Sequence, residues 1–459
     1  MENSEFGWAD LPLPLLEQIF EILPIKYKGR AAQACFSWYC ALKSDRCWRY
    51  FQYKDDIFVR RKFTQHSGWQ NHIDHYRIRF LTAKVVTKWH RFEVIPVANL
   101  SNMYEFLRTI SNFSEYYERN AGEEPLSGLR SFRFHWEMLI QKAALNQFNR
   151  DESSRQEDQN EKHKPDEVRD IGTGGTMLEG IWFFLQHLYG LKIWLFFNEK
   201  LEEFYLLNAT LYRKSIMYLG LFLNLRKLVV SPQHIDDDSL ILIGDLQYLK
   251  TFMLVQTEKT SEERSCSRQA WEKFKESNRK RTKLYLVLSG RCKKEMLIQM
   301  GAPVHSIIWE NYIGQLTKDL AQQIYSEYFE TLTEFIQKGL ERKKRENKFS
   351  ERADIPAVEI MNHCTQLQYF ALRERISTAT ALILALKAKE MCCKLCIRQN
   401  ALLKRNCWPS TDFIFYGIKV SRKWILNICF DYDLTAEKIL EITRDTRCIM
   451  NDQQYKSFI

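Results

Sequence analysis

The sequence predicts an α/β protein with a small all-α segment at residues 8–54, a connecting stretch at 55–75, and a strand–helix domain over 76–459. Three observations carry this expectation. Apolar residues between Leu11 and Leu23 recur at helical spacing. A six-residue template, L-x-x-[LF]-x-[LV], returns at even intervals in the middle of the chain. The segments between its copies read as helices, so strand, turn, helix, strand is the expected order, with the strands parallel.

The first element is DLPLPLLEQIF, Asp10 to Phe20, which runs into a helix predicted over Pro14–Leu23. Pro14 stands in the first turn, where a missing N–H is harmless. At about 100° per residue, Leu15, Leu16, Ile19, Phe20, Ile22 and Leu23 fill an arc of roughly 160°. A helix lying on a domain surface needs an apolar stripe of about 100°, so this one needs neighbours on two sides. Pro24 ends it and Gly29 marks a turn. A second helix is expected over Arg30–Leu42, where Ala31, Ala34, Cys35, Trp38 and Leu42 recur at three- and four-residue steps. Trp48 follows. So small a unit has too much surface for its volume to bury all of this by itself. A bound partner is one candidate for the missing wall, and the rest of the chain is the other.

In order and spacing, Leu11-Pro12, Leu15, Ile19-Phe20, Leu23, Arg30, Cys35, Trp38, Leu42 and Trp48 resemble an F-box, with departures at Tyr27, Gly29 and Gln33. The resemblance implies a three-helix module that docks on the Skp adaptor of SCF-type ubiquitin ligases, and through it on a cullin and a RING protein. It implies adaptor contacts at Leu11, Pro12, Leu15, Leu16, Ile19, Phe20, Leu23, Trp38 and Trp48.

The template occurs as Leu201-Phe204-Leu206, Leu225-Leu228-Val230 and Leu249-Phe252-Leu254, in two steps of 24 residues. That step lies within the roughly 20–29 residues of leucine-rich repeats. Looser copies stand at Leu129-Phe132-Phe134 and Leu367-Phe370-Leu372, with weaker ones at Leu284-Leu286-Leu288 and Val304-Ile307-Trp309. Ser215–Phe222 and Asp237–Gly244 read as intervening helices. Ala209, Gln233 and Thr257 occupy the place of the usual asparagine, so the turns are expected to be irregular. The chain as a whole thus resembles an F-box/leucine-rich-repeat protein. Its expected fold is an irregular solenoid with a parallel sheet on the concave face; an α/β domain with coincidental leucine spacing is the alternative. On that face Tyr205, Leu207, Lys227, Val229, Thr251, Met253 and Val255 would meet a protein substrate. The apolar members would form an exposed stripe, unless the C-terminus or a loop covers it.

Two interruptions break the pattern. Residues 146–176 form an expected disordered insertion: Asn146–Lys164 has one aromatic and no aliphatic residue. Its exit, IGTGGT (Ile171–Thr176), lacks the Lys-Ser/Thr of a phosphate-binding loop. Gln256–Lys283 is charged but carries Trp271 and Phe274, as a surface helix would. Ile181–Phe197 is interrupted by Gln186, His187, Gly190 and Lys192 and falls short of the roughly 20 apolar residues of a membrane span. It reads as core.

Bulk composition narrows the function classes. Over 459 residues, 45% hydrophobic and 27% charged content is that of a globular chain, and 14% aromatic content predicts a dense core. The net charge of +10 reads as scattered, so no nucleic-acid partner is expected. Twelve cysteines are too sparse for a disulfide scaffold, and Met1–Ala9 lacks the character of a signal peptide. An intracellular location, cytoplasmic and/or nuclear, is the expectation. Cys392, Cys393, Cys396 and Cys407 with His363-Cys364 contain one C-x-x-C, where a metal site needs two well-spaced pairs. No metal and no cofactor is expected. Basic runs at Arg342–Arg345 and Arg279–Lys283 read as an import cluster or as solvated charge.

No nucleophile–base pair stands out, so the chain is expected to be non-catalytic. The resemblance makes it the substrate-recognition subunit of an SCF-type ubiquitin ligase, holding a target on its repeats so that transfer to it becomes effectively unimolecular. The alternatives are a non-ligase scaffold and a basic nucleic-acid-associated factor.

Overall fold

Prolines and one extended residue divide the N-terminal helices. In the computed structural model α1 spans Leu13–Ile22 with Pro14 in its first turn, and Pro24 caps α2 (Ile25–Ala31). Gly29 lies inside α2 on an exposed side, where an added methyl group would meet nothing within 4 Å, so it makes no turn. The helix expected over Arg30–Leu42 is broken because Cys35 is fully extended (φ −158°, ψ 168°); α3 covers only Phe36–Ala41. A 3-10 turn follows at Asp45–Trp48.

The structure describes residues 8, 11–54, 57–65, 68–95, 100–121, 125–135, 181, 201–209, 222–260, 266–278, 281–292, 295–311, 313–340, 348–408 and 420–458. They fall into two compact units, Met1–His234 with Leu246–Leu249, and Ile235–Asp245 with Lys250–Ile459. The polar insertion at 146–176, most of Ile181–Phe197, Ser215–Leu221, Arg279 and Lys280, and the basic run Arg342–Arg345 lie outside the described residues.

In the first unit, β1 (Tyr50–Tyr53) follows the 3-10 turn with a single residue between. Then come the antiparallel hairpin β2 (Val59–Thr64) and β3 (Gly68–Ile73), α4 (His75–Val85), β4 (Arg91–Val94), α5 (Leu100–Ala121), β5 (Ser131–His135), β6 (Glu203–Leu207) and β7 (Lys227–Val230). Strands β1, β4, β5, β6 and β7 lie side by side in that order, all parallel, with Phe51, Phe92, Phe132, Phe204 and Leu228 in register. Side chains alternate across a strand, so these five share one face. Their rings pack in sequence, Phe92 5.5 Å from Phe132 and Phe132 5.8 Å from Phe204, while Trp89 stacks on Phe51 at 4.2 Å. This aromatic ladder is the core of the unit.

The second unit begins with α6 (Asp237–Gly244), whose N-terminus is closed by a reciprocal capping box between Asp236 and Ser239. It continues through β8 (Thr251–Gln256), α7 (Arg268–Asn278), β9 (Lys283–Leu288), β10 (Val304–Trp309), α8 (Lys318–Tyr328), β11 (Glu334–Gln337), α9 (Asp354–His363), β12 (Tyr369–Leu372) and β13 (Ile376–Ser377). The remaining elements are α10 (Thr378–Met391), β14 (Lys394–Arg398), β15 (Leu402–Leu403), α11 (Arg422–Ile428), α12 (Tyr432–Thr443), β16 (Ile449–Met450) and α13 (Asp452–Phe458). Its sheet runs β8-β9-β10-β11-β12-β14-β16, all parallel, and β13 pairs with β15 in a separate two-stranded ladder. The surface helix expected around Trp271 and Phe274 is α7, and both rings are buried.

The expected leucine-rich-repeat solenoid is overturned. Its templates do lie on strands, and Leu201, Phe204, Leu206, Leu225, Leu228, Leu249 and Phe252 are all core residues. Repetition is what fails. The 24-residue step holds from Glu203 to Lys227 and from Lys227 to Thr251, but Lys283 to Val304 takes 21, Arg91 to Ser131 takes 40 and Lys394 to Ile449 takes 55. The connections differ in kind as well, from the 22-residue α5 to the 8-residue α6. A solenoid needs each turn of chain to present the same surface to the next, and these turns do not. The chain beyond the N-terminal helices is a large, irregular α/β structure.

Candidate protein-docking face

The roughly 160° apolar arc of α1 divides in two, at about 100° per residue. Its inner part, Leu16 and Phe20, is buried with Ala31, Ala41, Leu42 and Cys47 in a small core, with Leu11, Leu23, Trp38 and Trp48 packed half-buried around it. Phe20 meets Trp38 edge-on, ring centroids 5.4 Å apart. Trp38 donates its indole N–H to the Trp8 carbonyl at 3.2 Å, and Trp48 donates to the Leu42 carbonyl at 2.7 Å. The outer part, Leu15, Ile19 and Ile22, is exposed, Ile22 to 82%. Pro12 is exposed beside it.

The nine residues expected to contact an adaptor therefore separate into structural and accessible sets. Leu16 and Phe20 hold the module together, and Pro12, Leu15 and Ile19 face outward. Sequence reasoning omitted several exposed apolar side chains around them: Trp8, Leu13, Ile22, Tyr27, Phe36 and Tyr39. Among the described residues, eight of the nineteen large exposed hydrophobics fall between positions 8 and 39, which makes this the greasiest surface of the chain. Helical phase had already placed Ile22 in the apolar arc, though outside the expected contact set; Phe36 and Tyr39 depended on where the second helix broke.

Lys28 was also illegible. Its side chain is buried, with Nζ donating to the Glu21 carbonyl at 3.4 Å and to the Cys47 carbonyl, 5.2 Å from the centroid of the Trp48 ring. Burial depresses its pKa, against the opposing pull of Cys47 and Glu21. Arg46 pairs with Glu21 at 2.9 Å on the rim. These contacts tie α1 and α2 to the 3-10 turn, so the exposed strip is carried on a braced helix.

Tyr205, Val229 and Val255 are buried, while Leu207, Lys227, Thr251 and Met253 are half-buried. Tyr205 lies between cations, its ring 4.3 Å from the Arg133 guanidinium and 5.2 Å from Lys227 Nζ. Arg133 also pairs with Glu203 at 3.1 Å. Burial opposes ionisation of Glu203, but Arg133 and Lys227 outweigh it and hold the carboxyl below its usual range. The strand alternation was legible, but the charges that close over it were not.

Among the described residues no group of three or more His, Cys, Asp or Glu side chains is placed to hold a metal, and no helix is long and apolar enough to cross a membrane. Cys393 and Cys396 are buried on and beside β14. Residues 8–50 match the family model described as F-box domain. No curated protein matches the chain. The match stops at the first strand, so the reading of the chain as a repeat-bearing substrate receptor of a ubiquitin ligase falls with the repeats. An F-box supports a role in protein interaction, without a tandem-repeat platform behind it.

Proposed function

We propose that this chain is a non-catalytic protein-interaction subunit, cytoplasmic and/or nuclear, that docks on a Skp-class adaptor through the outer strip of α1. One observation carries the reading: the exposed aliphatic side chains Leu15, Ile19 and Ile22 on a helix whose other face is already satisfied. A surface of that kind is stabilised by a partner with a complementary apolar groove. The F-box match over residues 8–50 supports an adaptor as that partner.

Burying three such side chains is worth about 1.5–3 kcal/mol each. The triple substitution Leu15→Asp, Ile19→Asp, Ile22→Asp is therefore expected to weaken capture of purified Skp adaptor by about 1,000-fold or more. Its urea midpoint should stay close to that of the parent chain, because none of the three lies in the core. Undiminished capture by the folded triple variant would sink the proposal.

A further inference from the structure

The chain carries a net charge of +10, and its 37 residues from Val59 to Ile95 contain eight Lys or Arg against two Asp or Glu, a balance of +6. Lys88 pairs with Asp45 at 3.0 Å; the other seven cations, set against Asp74 and Glu93, place a balance of +5, half of the excess positive charge, on the β2–β3 hairpin, α4 and β4. The two acids are engaged: Asp74 with Arg60 and Arg77, Glu93 with Tyr50 and Gln52. The Asp74 bridge joins the hairpin to the first turn of α4, where its carboxylate also caps the helix by accepting from the Tyr76 and Arg77 amides. Ile78, Thr82 and Val85 turn inward, which leaves Tyr76, Arg77, Arg79, Phe80 and Lys84 on the solvent side. Arg61, Lys62 and Phe63 are exposed on the hairpin.

The exposed large apolar residues here differ in kind from those of the docking face. Phe63, Tyr76 (80% exposed) and Phe80 (65%) are all aromatic, with no exposed Leu, Ile or Met beside them among the described residues, whereas α1 presents mainly aliphatic chains. Beside α4 a cleft of about 670 Å³ opens towards α5, lined by His75, Arg79, Arg108, Phe113 and Tyr116, with Glu105 as its one acid, 3.7 Å from Arg108. Arg79 belongs to both the outer surface of α4 and this cleft.

We infer that the hairpin, α4 and the α4–α5 cleft form a binding surface for single-stranded nucleic acid. Arginine forks suit phosphate oxygens, and flat rings between cations offer stacking platforms that accept any base. A helix lying on a lipid surface buries a broad apolar face of Trp, Phe and Leu in it, whereas α4 turns Ile78, Thr82 and Val85 inward and offers solvent only Tyr76 and Phe80 as large apolar side chains. The surface does not use α1, so it is independent of adaptor docking.

The test is fluorescence anisotropy of the full-length chain with a labelled oligouridine of roughly 20 nucleotides, a duplex of the same length, and vesicles of phosphatidylcholine with phosphatidylserine. The single strand should bind more tightly than the duplex, with affinity falling steeply between about 50 and 200 mM salt. Lys62→Gln, Arg79→Gln, Lys84→Gln together should weaken binding at least about tenfold and flatten the salt slope. Tyr76→Ala with Phe80→Ala should weaken it about tenfold and leave the slope unchanged, since stacking carries no counterions. All these positions are exposed, and circular dichroism checks that each variant folds. Absence of oligouridine binding, preference for the duplex, binding to vesicles alone, or full affinity in both variants would each overturn the inference.

Discussion

Asp354 is fully buried, and every lone pair that matters on it is engaged. Its Oδ1 accepts from the Ser377 amide at 2.8 Å, from the Ser377 hydroxyl at 2.7 Å and from the Thr380 hydroxyl; its Oδ2 accepts from Arg352 Nε at 2.7 Å. Trp408 extends the network by donating to Thr380 Oγ1 at 2.8 Å. Opposite charges buried together offset their desolvation only while both remain. Asp354→Ala leaves Arg352 buried without its carboxylate, and should cost about 3–5 kcal/mol in a urea titration; a loss below about 1 kcal/mol would mean that the network contributes little. Nothing in the sequence marks this cluster. Ser377 stands 23 residues from Asp354, and Trp408 stands 28 from Thr380, so only folding brings them together.

At the scale of elements, α1 and the hairpin–α4 junction show two degrees of legibility. Helical phase predicts the apolar arc of α1 and its need for two walls, and the structure supplies one of them from α3 and the 3-10 turn. Which half of the arc turns inward could not be read, because both halves are equally apolar and only the partner helices choose between them. The hairpin reads in sequence as connecting chain, since its alternation is masked by charge on both faces. It is held at Asp74, where burial opposes ionisation but the Arg77 amide and the Arg60 and Arg77 charges prevail, keeping the carboxyl below its usual value. Because the folded pKa is the lower one, this stabilisation is complete above the unfolded value near about 4 and is lost as pH falls through the folded pKa. Protection factors of the α4 amides, each taken against the intrinsic exchange rate at the same pH, are therefore expected to fall on acidification in that window, and Asp74→Asn, which keeps a capping oxygen but not the charge, should abolish the acid step. Identical exchange profiles for parent and variant would refute the account.

On the scale of the whole molecule, the end of the chain matters as much as its beginning. Tyr455 of α13 is buried against Ala371, Cys396 and Met450, and its hydroxyl donates to the Gln337 carbonyl at 2.7 Å, across 118 residues of sequence. Asp452 is pinned by Arg398, with Nη2 2.8 Å from Oδ2. Tyr455→Ala should lower the stability of the second unit by about 3 kcal/mol through the cavity it leaves. Tyr455→Phe should cost only about 1 kcal/mol, the worth of one hydrogen bond. Equal losses in the two variants would show that the ring does not pack as described.

The sequence by itself determined what is local: the amphipathic first helix, the strands beneath the L-x-x-F-x-L segments, the capped helix at Asp237–Gly244, and the F-box order of residues in the first fifty positions. These depend on alternation, helical phase and capping within a few residues, and such patterns survive whatever surrounds them. Only the tertiary structure decided the rest. Two equal 24-residue steps suggested a solenoid, but spacing between strands is set by the chain that must cross between them, and the helices in those crossings range from the 7-residue α11 to the 22-residue α5. Burial of Tyr205 between Arg133 and Lys227 likewise comes from strands laid side by side. Distance along a chain does not predict nearness in space, and the Asp354 cluster and the cations around Tyr205 are matters of nearness.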